Sequence, residues 1–168
     1  MRKRNAVKKI AAVLASACLI VSMLATTVMA KPAESTKTGS LTVTASSGDL
    51  KDYTFDLYKV ADITVASGGI MTYKATSDFT TALTGKDLAD QTAVEATLKE
   101  LVKAAEGKTA TKTTGKIASA VTSQKIDELS LGYYLVKVSA PNGVSATGDF
   151  LVSIPSTKAD GSDLNYDV

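Results

Sequence analysis

Histidine and tryptophan are absent from the 168 residues, and cysteine occurs once, at Cys18. Without imidazole there is no histidine base near neutral pH and no imidazole metal ligand. A single thiol closes no internal disulfide, so an apolar core or some other cross-link must hold the fold. Proline is confined to Pro32, Pro141 and Pro155, and aromatic residues make up 5% of the chain. No glycine-rich phosphate loop and no basic patch interleaved with aromatics is present, and nothing repeats at a period of 20 to 50 residues. Metal chemistry has little to stand on: Asp160-Gly161-Ser162-Asp163 with Asp167 lacks the acidic spacing and terminal Glu of an EF-hand, and reads as a polar turn. Many serines and lysines could form a nucleophile pair, but no spacing singles one out. The expectation is a chain without catalytic residues, cofactor or metal.

The N-terminus is rich where the rest is poor. Arg2, Lys3, Arg4, Lys8 and Lys9 precede an uncharged apolar run from Ile10 to Leu24, and Val28-Met29-Ala30 is a small-residue cleavage signature. Residues 1–30 therefore read as a secretory signal peptide cut between Ala30 and Lys31. The run fades into Thr26-Thr27 short of the ~20 residues that span a bilayer. It also continues well past Cys18, whereas a lipid-modified cysteine would mark its end. Removing 30 residues leaves 138, enough for one domain with a core. It also takes five of 19 basic residues, leaving 14 against 17 acids, a net charge of −3. The positive charge of the whole chain thus belongs to the export signal, and it argues for no nucleic-acid partner and no membrane in the mature form.

Within the mature chain, 132–155 is the organising stretch. Tyr133 to Val138 puts Tyr134, Val136 and Val138 on one pleat face and Tyr133 and Leu135 on the other, which predicts a strand buried on both faces. Ala140-Pro141-Asn142-Gly143 turns the chain, and Phe150, Val152 and Ile154 then alternate with Leu151 and Ser153 until Pro155. Residues 31–39 are polar and aperiodic, a flexible leader. Strands are expected at 40–44, with Leu41 and Val43 inward, and at 53–60, with Tyr53, Phe55 and Leu57 alternating. A short strand at 63–65 and a hairpin partner at 70–74 follow.

The period then changes to 3.6. Val94, Leu98, Leu101, Val102 and Ala105 form one helical stripe, with Thr92 and Glu95 as capping box, a Glu95–Lys99 pair and Gly107 at the C-cap. A shorter helical turn over 77–83 is capped by Ser77. Residues 108–115 read as loop, 116–121 as strand, 126–129 as the approach to a turn at Ser130-Leu131-Gly132, 156–163 as a polar tail, and 164–168 as a final strand. Tyr53, Tyr58, Tyr73, Tyr133, Tyr134 and Tyr166 could form a sugar-stacking platform, although strand tyrosines more often fill sheet surfaces.

Gly39 to Thr44, Phe55 to Val60, Leu131-Gly132-Tyr133-Tyr134-Leu135-Val136, Ala140-Pro141, Phe150 to Pro155 and Asn165-Tyr166-Asp167-Val168, in this order along the chain, resemble the N-terminal domain of sortase-assembled pilin subunits of Gram-positive bacteria. The resemblance implies a mainly β, Ig-like sandwich related to the B-type repeats of collagen-binding surface proteins, here with a helical insertion, spanning 40–168. It implies a building block of a covalent fibre on the cell wall, with sibling pilins, a sortase and host extracellular matrix or glycan as partners. The alternative is a secreted or surface adhesin domain that binds a host protein or glycan and is never polymerised. In the family, a pilin motif Trp-x-x-x-Val-x-Val-Tyr-Pro-Lys carries the lysine that sortase joins to the next subunit. Leu164 stands at the Trp position and Val168 at the first Val, and the reactive lysine is not among these residues. Many such domains also close a Lys–Asn isopeptide bond. At the usual lysine position this chain has Ala45, followed by Ser46, and at the usual acid position Val138, so no internal isopeptide is expected.

Overall fold

The computed structural model describes residues 37–66, 70–86, 91–141, 148–158 and 163–168, with the backbone alone described for 91–95. The signal peptide, Ala30 and Lys31, the Asn142-Gly143 turn and the Asp160 to Ser162 turn lie outside them. The chain is mainly β, with antiparallel strands in two layers and a small helical part.

Strand β6 (Gly132–Ser139) lies in the middle. Its alternation predicts two apolar faces, and both are covered. Tyr134, Val136 and Val138 join one core cluster, Leu135 and the partly buried Tyr133 another. On one side β6 pairs with β7 (Phe150–Ile154), Tyr134 opposite Val152 and Leu135 opposite Leu151. On the other it pairs with β2 (Thr54–Val65).

The sequence reads β2 as two strands, 53–60 and 63–65, but it is one strand of 12 residues. Its register on β6 slips between Lys59 and Ala61, leaving Val60 as an extra residue. This β-bulge re-aims the side chains along one continuous strand. Phe55 and Leu57 point into the first core cluster, and Val60 points into the second. The second half of β2 pairs with β3 (Met71–Ala75), the expected hairpin partner, Ile63 opposite Tyr73. The stretch 108–115, read as a loop, contributes a two-residue strand, β4 (Lys112–Thr113), beside Asp56 and Leu57. The larger sheet thus runs β3-β2-β6-β7, with β4 also on β2.

Facing it is β1 (Thr38–Thr44), antiparallel to β5 (Ser123–Ser130). Leu41 and Val43 point inward as expected, while Thr42 and Thr44 are exposed. The strand starts two residues inside the expected leader: Thr38 is already laddered opposite Ser130, so the leader boundary moves to before Thr38. The expected strand at 116–121 is not formed. Ile117 and Val121 do face the core, but their backbone groups bond singly to other loop positions. Ile117 N donates to Tyr53 O (2.9 Å), Asp52 N to Ile117 O and Leu50 N to Val121 O (both 2.8 Å). The strand forms over 123–130 instead, where only Ile126 and Leu129 are buried. Leu131 alone separates β5 from β6, so the chain steps from one layer to the other there.

The opposite face of the larger sheet is covered by helices. A 3-10 turn (Ser77–Phe79) leads into α1 (Thr80–Leu83). The residue before the turn is Thr76, whose Oγ donates back to the carbonyls of Lys59 and Val60 (3.1 Å each). Thr76 rather than the expected Ser77 thus ties this turn to the bulge. Helix α2 (Gln91–Ala104) begins one residue before Thr92, which is therefore inside the helix and not its cap; the Thr92, Val94 and Glu95 side chains lie outside the described set. Leu101 and Ala105 are buried against Val60, Phe79, Ala82 and Leu135, with Leu98 and Val102 partly so. Thr97 is fully buried on α2, and the apolar stripe passed over it because its side chain is polar. Gly107 takes φ +73° just past the helix, the left-handed conformation a terminating glycine supplies.

Candidate functional site

The residues singled out for assembly, Leu164 and Val168, lie where the last segment of the chain meets its first strand. Strand β8 (Ser156–Thr157) turns back on β9 (Leu164–Asn165), and Lys158 N donates to Asp163 O (2.9 Å) inside the turn. Residues 166–168 then run parallel to β1. Ser40 N donates to Tyr166 O (2.8 Å), Val168 N to Ser40 O (2.9 Å) and Thr42 N to Val168 O (2.6 Å). β1 is therefore flanked on both edges, by β5 on one and by the C-terminal segment on the other.

Side chains fasten the same seam. The Ser40 hydroxyl, with Ser40 only 2% exposed, donates to Asp167 Oδ1 at 2.7 Å. Gly39 allows the close approach, since a Cβ there would collide with Tyr166 O and meet Ile154 Cγ2. Lys37 Nζ sits 3.9 Å from the centre of the Tyr166 ring, a cation–π contact. Leu164 and Tyr166 pack beside Ile63, Val65 and Leu131, and Val168 packs on the core formed by β1, β2, β5, β6 and β7. Opposite Thr42 on the far side of β1 stands Lys125. Its ammonium pKa is pushed up by the hydrogen bond and charge of Asp127, 2.7 Å away, and then by the charge of Asp167.

At the positions where the family would cross-link, Ala45 is an apolar residue resting on the core, its N–H donating to Thr122 O (2.9 Å). Val138 is 8% exposed, and its backbone N–H donates to Asp149 Oδ1 at 2.9 Å. A carboxylate does stand beside Val138, supplied by Asp149, which the sequence reading did not single out. It is held by a strand N–H.

The structure does bring one serine and one lysine together, which spacing could not. Lys59 Nζ lies 3.2 Å from Ser130 Oγ, itself 3.2 Å from the Tyr134 hydroxyl, which donates to Ser130 O at 2.7 Å. The same ammonium bonds Asp62 Oδ1 at 2.6 Å. An ammonium donating to a carboxylate offers no lone pair for a serine proton. The cluster works as a clamp over the layer-crossing Gly132, where a Cβ would lie 2.6 Å from Lys59 Cε and 3.1 Å from Ala61 O.

The six tyrosines do not converge. Tyr53 stacks on Phe55 (6.5 Å between ring centres, 12° between planes), Tyr134 is buried in the core, and Tyr166 lies under Lys37. Only Tyr73 and Tyr133 meet, edge to face at 5.9 Å. Burial, with a smaller contribution from the neighbouring Tyr73, pushes the Tyr133 phenol up to about 12. Burial also raises Tyr134, partly offset by its bond to Ser130, and raises Tyr58 with help from the charge of Asp56. Among the described residues no three His, Cys, Asp or Glu side chains gather as a metal site, and no helix is long and apolar enough to cross a membrane.

No protein-family model matches the chain, and a search of curated proteins finds no match either. Among solved structures, the chain is similar to the full-length major pilin SpaD from Corynebacterium diphtheriae, at 22% identity and a TM-score of 0.42, over 79% of this chain and 28% of that one. It is similar to the SpaA pilin–signal peptide complex of the same organism, at 22% identity and 0.39, over 79% and 93%. The major pilin SpaA, also of C. diphtheriae, aligns at 20% identity and 0.38, over 77% and 29%. The chain thus spans less than a third of SpaD and of the longer SpaA structure.

Proposed function

We propose that this chain is an exported, non-catalytic structural module, the N-terminal domain of a shaft pilin in a covalently assembled fibre on a Gram-positive cell wall. The observation that carries the reading is the parallel seam between β1 and residues 166–168. Val168, at the motif's first Val position, is hydrogen-bonded along β1, and Leu164, which replaces the motif's Trp, lies just before the seam in β9, opposite Thr157 of β8, so neither sits on a loose tail in this reading. The seam supports a role in which an acceptor lysine beyond Val168 is presented from a fixed strand. Sibling subunits and a sortase are the partners this reading requires, and the missing imidazole and the ion-paired Lys59 agree with a role free of catalysis.

The test is an immunoblot of cell-wall extract boiled in SDS, probed with antibody to residues 31–168. A ladder of high-molecular-weight bands is expected, since covalent polymers survive boiling. A single band near the monomer mass would refute the fibre role and move a free-standing adhesin to first place. Intact mass of the exported chain addresses the cross-link separately. With Ala45 and Val138 at the usual positions, the mass should equal the sequence mass after cleavage at Ala30, and a deficit of about 17 Da, one ammonia, would overturn that expectation.

A further inference from the structure

The two large hydrophobic side chains that stand exposed among the described residues, Ile70 at 62% and Tyr73 at 37%, lie together at β3, the outer strand of the larger sheet. The ladder shows which backbone groups this edge leaves open. Ala66 N donates to Ile70 O (2.9 Å) and Thr76 N to Val60 O (3.0 Å), bracketing the Val65↔Met71 to Ala61↔Ala75 register. Antiparallel ladders alternate, so residues 70, 72, 74 and 76 turn their N–H and C=O groups toward β2, and Met71, Tyr73 and Ala75 turn theirs outward. Among the described residues nothing pairs with these outward groups. A row of open donors and acceptors bearing exposed apolar side chains is a template for another strand.

We propose that this edge pairs with the same edge of a second copy, antiparallel about a two-fold axis at Tyr73. In that register Tyr73 faces its own counterpart and Met71 faces Ala75, so every outward N–H and C=O on these three residues finds a partner. The self-match extends to charge: Lys74 falls opposite Thr72 of the other copy, never opposite a lysine, and within its own chain it faces Asp62 on β2. Opposed aromatic residues add to a cross-strand ladder. A five-residue edge covers far less than the ~1,200 Å² of a stable complex. Pairing is therefore weak between free chains and gains where copies are held close together. The inference does not depend on the fibre role, because it follows from the edge alone.

Tyr73→Cys and Thr64→Cys in the exported chain, which carries no other cysteine once residues 1–30 are removed, test it. Thr64 is exposed one strand inward and serves as the control. Under mild oxidation Tyr73→Cys should give disulfide-linked dimer about tenfold faster than Thr64→Cys, as strand-paired cysteines meet bridging geometry. Adding Ala75→Pro, which removes an outward donor without touching the hairpin ladder, should return the rate to that of the control. Equal rates for the two cysteines, or indifference to Ala75→Pro, would overturn the proposal. Sedimentation of the unmutated chain at about 1 mM, where weak pairing registers, should give an average mass above the monomer that Ala75→Pro abolishes; a strictly monomeric unmutated chain also overturns it.

Discussion

β6 and β3 flank the same strand, β2, and meet opposite fates. β6 is covered by β1 and β5 on one face and by the helices on the other, and four of its eight residues, Tyr134, Leu135, Val136 and Val138, are apolar side chains buried in those two layers. β3 has no buried residue at all. Backbone pairing to a common neighbour is therefore not what makes a strand part of the core. What decides it is whether other elements lie over the side chains: Ile63 and Val65 in the β2 half of the hairpin are buried beside Leu131, Leu164 and Tyr166, while β3 keeps its side chains outside that cover, Met71 alone packing against it.

The comparison can be broken most severely at Leu135, which is fully buried among Val60, Phe79 and Leu101. Leu135→Ala should cost about 2–5 kcal/mol in chemical denaturation, the range for emptying a packed leucine site. A smaller loss is expected at the entrance to β6. In Gly132→Ala the new methyl displaces the Lys59 stem and crowds Ala61 O, for about 1–3 kcal/mol by overpacking; a cost near zero would mean that the clamp yields freely. The link between the two strands is Tyr133 on β6 against Tyr73 on β3, and it has a pH signature. The folded state raises the Tyr133 phenol from the ordinary 10 to about 12. Between those values the native state holds a proton that the unfolded chain has lost, so stability is full below pH 10 and falls as pH climbs toward 12. The loss should be on the order of 2 kcal/mol, and Tyr133→Phe should make the decline visibly shallower; an unchanged slope would show that Tyr133 ionises freely. The least effect belongs to β3. Thr72→Ala, at an exposed position, should stay within about 0.5 kcal/mol, and a cost approaching that at Leu135 would erase the distinction between the strands.

The part of the fold carried by local alternation is legible in the sequence. Tyr134, Val136 and Val138 against Tyr133 and Leu135, Leu41 and Val43 in β1, and Leu101 in α2 with Ala105 just past its end all fall on the faces their spacing predicts. What escaped depends on partners distant in sequence. Val60 looks like the end of a strand because a bulge is defined only by the register of β6 on β2. Ile117 and Val121 look like strand residues because their burial is real, yet their backbone groups bond to scattered loop positions. Lys112 and Thr113 form a strand only because Asp56 and Leu57 offer an edge. At the candidate site, the alternation of Leu164 to Val168 suggested a strand, but its parallel run along β1 comes from pairing residues more than 120 positions apart. The Lys59–Ser130 contact and the Asp149 carboxylate beside Val138 are likewise tertiary, and no spacing in the chain points to them.

The seam between β1 and residues 166–168 has a further meaning if the molecule is pulled. The two segments are adjacent and parallel, so tension applied at Lys37 and at Val168 in opposite directions slides them along each other. The bonds Ser40 N to Tyr166 O, Val168 N to Ser40 O and Thr42 N to Val168 O all lie across that sliding direction. They share the load at once, where a hairpin peeled from one end would surrender its bonds one by one. The Ser40–Asp167 hydrogen bond crosses the same line. The first part of this sheet to meet a stretching force is thus arranged in shear, the direction in which a short ladder resists most.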